Sequence, residues 1–115
     1  MSRSKKITYT PPNWKSIKQD KKFVMMFHSM LNHVAYTTLT DKAKLIYIYM
    51  CDYSNGMKEF TYPHRIYKNV CSNETFSKAV TQLEKHGLIE VVFCGKHTKT
   101  ENIYAFSTKW KDFKE

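Results

Sequence analysis

Five histidines, three cysteines, eight tyrosines and ten carboxylates are the side chains with which this 115-residue chain could do covalent or metal chemistry. Their spacing supports neither. His28 and His33 do not make H-E-x-x-H, and no H-x-H pair presents a metal-ligating edge. Cys51, Cys71 and Cys94 are too far apart for zinc-finger spacing. Three glycines leave little material for a phosphate-cradling loop. Tyr47, Tyr49 and Tyr104 recur at helical or strand spacing, which fits packing better than a strand-cleaving nucleophile. The acids form no paired cluster. The chain therefore reads as a non-enzyme with no cofactor and no metal.

What remains is hydrogen-bonding chemistry, concentrated in SNETFSKAVTQLEKHGLIEVV, residues 72–92. Phe76, Ala79, Val80 and Leu83 recur at helical spacing and predict a buried stripe. Opposite them fall Glu74, Lys78, Thr81 and Lys85, flanked by Asn73, Thr75, Ser77 and Gln82. Asparagine and glutamine pair with adenine, lysine with guanine, and threonine with a base edge or a thymine methyl. A solvated helix face with Glu74 and Lys78 as an i,i+4 pair is the other reading of the same residues. Gly87 is placed to end the helix in the left-handed conformation, and Leu88–Phe93 then reads as a strand.

The elements around this helix follow from local signals. Phe23–Phe27 is a short apolar run with strand character, and His28–Tyr36 predicts one short helix. Thr40 is an N-cap and Asp41 suits the positive end of the helix that follows, which stops at Asn55-Gly56. Ala43, Ile46, Tyr47, Met50 and Tyr53 form its core stripe. Leu45, Ile48 and Tyr49 lie partly outside it, so the helix is either buried on most sides or offers these three to a homodimer interface. Phe60-Thr61-Tyr62 is a minimal strand, Pro63 occupies the first turn of a two-turn helix through Val70, and Ser72 caps the next. A second strand of the closing hairpin is expected at Ile103–Ser107.

This order (helix, short strand, helix, turn, helix, hairpin) predicts an α+β winged helix-turn-helix, a helical core with a small antiparallel sheet and a β-hairpin wing. Residues 63–70 and 73–86 are the turn motif, and 88–107 the wing. Two parts are expected: a basic N-terminal arm at 1–22 and the winged domain at 23–115. The arm holds seven Lys/Arg against one Asp, out of a net charge of +9. Such a surplus suggests a polyanionic partner, nucleic acid before membrane, because the arm has no apolar face to insert. Widely spaced, unpaired cysteines fit a reducing cytoplasm with buried thiols, and the histidines are expected at the surface.

The frame FVMMFHSML, AYTTLTDKAKLIYIY, NG, YPHRIYK, SNETFSKAVTQLEKHGLIEV and NIYAFSTKW, residues 23 to about 110, resembles the winged-helix proteins of plasmids and conjugative elements, including N-terminal domains of plasmid replication initiators. It is most similar to the small accessory proteins that bind the transfer origin of Gram-positive conjugative plasmids. The resemblance implies sequence-specific binding of double-stranded DNA at a transfer origin as an accessory relaxosome component, with the relaxase or other conjugation proteins as partners. A transcriptional regulator or replication-origin binder of the same element is the first alternative. A protein-interaction module without specific DNA binding is the second.

The charges qualify the picture. Lys78 and Lys85 are offset by Glu74 and Glu84, so the recognition helix is net neutral. Phosphate attraction is then expected from the wing tip (Lys96, His97, Lys99), from the first helix of the motif (His64, Arg65, Lys68) and from the arm (Arg3, Lys5, Lys6).

Overall fold

A computed structural model describes residue 24, residues 26–95 and residues 101–114. The arm, with Arg3, Lys5 and Lys6, and the hairpin tip, with Lys96, His97 and Lys99, lie outside the described residues.

The first helices among the described residues are two single turns, α1 (His28–Leu31) and α2 (Val34–Thr37). The single helix expected over 28–36 is broken at Asn32 because the His33 side chain accepts the Ala35 N–H at 3.0 Å and starts a new helix. The described members of the preceding apolar run, Val24, Met26 and Phe27, form no strand, and Phe27 is 72% exposed.

Helix α3 (Asp41–Ser54) begins as expected: the Thr40 hydroxyl accepts the Ala43 N–H. Its buried residues are Ala43, Ile46, Tyr47, Met50 and Ser54. Tyr53 stands outside this stripe, on the surface, with its ring edge-on to Tyr62. Asn55 and Gly56 then turn the chain in left-handed conformations.

Strand β1 is Glu59–Phe60, and α4 is His64–Tyr67, one turn rather than two. Pro63 is extended and serves as the N-cap, one position earlier than expected; its carbonyl accepts the Ile66 N–H at 2.9 Å. The turn then carries the chain to Ser72, whose hydroxyl accepts the Thr75 N–H and opens α5 (Asn73–Lys85).

At the end of α5 the Gly87 N–H donates to the Glu84 carbonyl and the Leu88 N–H to the Leu83 carbonyl, satisfying the helix's last acceptors. Strands β2 (Ile89–Phe93) and β3 (Ile103–Phe106) pair antiparallel, with a bulge between Val91 and Phe93. β3 also pairs with β1, matching Phe60 with Tyr104, so the sheet order is β1-β3-β2. A helical layer, a three-stranded antiparallel sheet and a terminal hairpin together make an α+β winged helix-turn-helix.

One core joins the two layers. Ile46 and Met50 of α3, Leu83 of α5, and Leu88 and Ile89 at the hairpin are its largest fully buried side chains. Each contributes roughly 1.5–3 kcal/mol relative to exposure. A 3-10 turn over Lys109–Asp112, absent from the sequence expectations, closes the core with buried Trp110. The Trp110 N–H donates to the Gly87 carbonyl at 3.0 Å, and its ring meets His33 edge-on.

Two expectations about polar groups are corrected here. Cys94 is exposed, because it follows the end of β2 beyond the core, while Cys51 and Cys71 are half-buried. His86 is buried: Nδ1 donates to the Ala35 carbonyl at 2.7 Å, and the ring stacks on Phe113.

Candidate nucleic-acid interface

The orientation of α5 is set by its inner face. Phe76, Ala79 and Leu83 are buried, and Val80 is half-buried. The Phe76 ring stacks on Tyr67 of α4, with centroids 3.7 Å apart and planes 7° from parallel, and Tyr62 lies against both. This aromatic stack fixes the angle between α4 and α5. The Tyr67 hydroxyl adds a hydrogen bond to the Asn73 side-chain oxygen at 2.9 Å, tying α4 to the first residue of α5. On the other side the Thr40 N–H and hydroxyl both donate to the Gln82 side-chain oxygen, linking the start of α3 to the last turns of α5.

The outer face of this 13-residue helix, about 20 Å long, is solvent-facing. Glu74, Ser77, Lys78, Thr81 and Lys85 are exposed, and Thr75 is half-buried. Ser77 and Thr81 border the clefts on both flanks of the helix, which makes them its crest. A helix of this diameter fits a major groove about 12 Å wide. Of the outer-face residues singled out from sequence, Gln82 already faces Thr40, the Asn73 oxygen serves Tyr67, and the Thr75 hydroxyl accepts from Ser72. The Thr81 hydroxyl donates to the Ser77 carbonyl.

The cleft between α5 and the hairpin is lined by His64 and Arg65 of α4, by Asn73, Ser77, Thr81 and Glu84 of α5, and by Glu101 ahead of β3. Arg65 pairs with Glu101 at 3.0 Å, a bridge between exposed side chains worth at most about 1 kcal/mol. The Glu84 carboxylate accepts the Val91 N–H of β2. Lys68 is exposed but does not border this cleft. Of His64, Arg65 and Lys68, the three residues in or just after α4 expected to meet phosphate, Arg65 is thus already engaged by a carboxylate. Sequence spacing gave no signal for that, since the partners are 36 residues apart.

On α3, Ile48 and Tyr49 are exposed and Leu45 is half-buried. Tyr47, also on α3, is buried and its hydroxyl is held far above its ordinary range, first by burial and then by the nearby Cys51 thiol. Such a phenol is no nucleophile near neutral pH. Among the described residues no three histidine, cysteine or acidic side chains cluster to hold a metal, and no helix is long and apolar enough to cross a membrane.

Residues 37–89, from the end of α2 through α3, β1, α4 and α5 to the first residue of β2, match the family model described as a helix-turn-helix domain. No curated protein and no solved structure matches the chain. The chain thus carries a helix-turn-helix domain, which suggests DNA as its partner and a non-catalytic role.

Proposed function

We propose that this protein binds double-stranded DNA sequence-specifically, with α5 as the recognition helix in the major groove and the β2–β3 hairpin as a wing. The observation that carries this reading is the two-sided build of α5 within a matched helix-turn-helix. Its inner face is locked by Phe76, Ala79 and Leu83, while Ser77, Lys78, Thr81 and Lys85 stand outward. Lysine and hydroxyl side chains on one exposed ridge suit base edges and phosphates together.

In its finer form the proposal is an accessory component of the relaxosome, acting in the cytoplasm at the transfer origin of a conjugative plasmid. The protein acts as a homodimer and works beside a relaxase. The resemblance of residues 23–110 supports the mobile-element setting. The exposed Ile48 and Tyr49, with Leu45, supply a self-association surface. The segment 1–22 acts as a basic arm on the domain formed by 23–115. His64 of α4, Lys68 just after it, the hairpin-tip residues Lys96, His97 and Lys99, and Arg3, Lys5 and Lys6 of the arm add phosphate contacts. Neutralising Lys96 and Lys99 together then lowers the salt dependence of binding; an unchanged slope removes the tip from the interface.

Selection from a random duplex library by the full chain, at physiological salt, tests the reading. Enrichment of a defined motif is expected, with paired copies in an intergenic region beside mobilisation genes. A motif that overlaps a promoter or a replication origin points instead to a regulator or an initiator-type binder. Recovery of unselected DNA alone contradicts sequence-specific binding. It would favour an interaction module, a reading supported by the two carboxylates that line the cleft between α5 and the hairpin, Glu84 and Glu101.

A further inference from the structure

The charge of α5 sums to zero along the sequence, but in space it separates across the helix. On the wing side, the charged side chains that border the cleft among the described residues are the carboxylates Glu84 and Glu101 and the guanidinium of Arg65, which Glu101 already holds. A phosphate chain entering there meets a net repulsive lining. On the opposite flank, the cleft runs between α5 and the end of the chain, and its charged lining residues are Lys78, Lys85 and Lys114. No carboxylate lines it among the described residues, and none of these three lysines belongs to an ion pair there.

The C-terminal segment that brings Lys114 to this cleft is anchored. Trp110 is buried and donates its N–H to the Gly87 carbonyl. Phe113, the residue before Lys114, stacks on His86 with ring centroids 4.2 Å apart. His86 is in turn held by the Ala35 carbonyl. Lys114 is therefore placed one residue beyond a fixed ring, beside the last turn of the recognition helix.

We infer that the segment after β3 is part of the DNA interface, and that Lys114, Lys85 and Lys78 form a lane for one sugar-phosphate strand on the flank of α5 away from the wing. The inference rests on the duplex-binding reading above. With a helix in the major groove, the two backbones pass along its two flanks, and contacts to them fix register without reading sequence. Among the described residues, the lysines that line a cleft beside α5 lie on this flank. A segment that sequence periodicity leaves unassigned thus completes the interface from the side opposite the hairpin.

The test is the salt dependence of affinity for the duplex selected by the full chain, compared between the unsubstituted protein, Lys114→Gln, Lys85→Gln/Lys114→Gln, and Arg65→Gln. All these positions are exposed, so the variants fold. Removing one lysine–phosphate pairing is expected to lower the slope of log affinity against log salt by about 0.9. Lys114→Gln should show that decrease, the double variant roughly twice it, and Arg65→Gln less than either. Preference for the selected duplex over a scrambled one should survive Lys114→Gln. Intact binding with an unchanged slope in both lysine variants overturns the inference alone, as does a slope that falls only for Arg65→Gln. No duplex binding by the unsubstituted chain overturns the functional reading, and this inference with it.

Discussion

Helix α3 ends at Asn55 and Gly56, with φ of 55° and 82°, and α5 ends at Gly87, with φ of 84°. In sequence both stops carry the same message, a residue tolerant of the left-handed region after a helical run. In space they differ. A Cβ added at Gly56 would meet nothing within 4 Å. One added at Gly87 would lie 2.5 Å from the Trp110 backbone nitrogen and 2.6 Å from the Lys109 carbonyl carbon. The first glycine only turns the chain. The second also lets the C-terminal segment lie against the end of the recognition helix, so a local stop doubles as a tertiary joint.

That contrast is open to attack at several points. The largest effect should come from Trp110→Ala, which empties the buried side of the joint. Loss of about 3–5 kcal/mol in urea unfolding is expected, and a loss below about 1 kcal/mol would mean the joint carries little load. Gly87→Ala combines left-handed strain of about 1–2 kcal/mol with a backbone clash that costs about 1–3 kcal/mol. Gly56→Ala should cost only the strain. Equal losses at the two glycines would erase the distinction drawn between them.

The smallest effect concerns the last turn of α3. Burial pushes the Cys51 thiol up from its ordinary value to about 11, although a hydrogen bond with Tyr47 pulls the other way. At pH 9 only about 1% of it is thiolate, the form that alkylates. Cys51 should therefore react more slowly than the exposed Cys94, and its rate should keep rising above pH 9. Gly56→Ala should leave this order intact, because a Cβ added there meets nothing within 4 Å. Equal rates would show that the end of α3 opens easily.

Much of the fold was legible because its signals are local. Thr40 and Ser72 cap the helices they precede, Asn55-Gly56 and Gly87 stop them, and the inward stripe of α5 follows its period. Most of the misses come from residues whose roles depend on distant partners, and one is local. His33 splits an expected helix by capping its second half, a role that histidine's low cap preference concealed. His86 is buried because the Ala35 carbonyl, 51 residues away, accepts a hydrogen bond from its ring and Phe113 covers it. Tyr53 fits the helical period of α3 yet faces outward, since Phe106 of the sheet packs against Tyr47 instead. The exposed ridge of α5 was readable from the wheel, whereas the engagement of Gln82 by Thr40 and of Arg65 by Glu101 required the third dimension. Lys114 carries no periodic signal at all.

The central claim is that the crest of α5 reads base edges. Its most direct test is the ratio of affinities for the selected duplex and a scrambled one, measured at one salt concentration for the unsubstituted chain and for Ser77→Ala/Thr81→Ala. Both side chains are exposed and contribute little to packing, so the fold should persist. If the crest reads sequence, the ratio should fall by about tenfold or more, in line with about 1–3 kcal/mol of discrimination per base contact. Affinity for the scrambled duplex should barely change. An undiminished ratio would contradict the account and place sequence reading on another element of the protein.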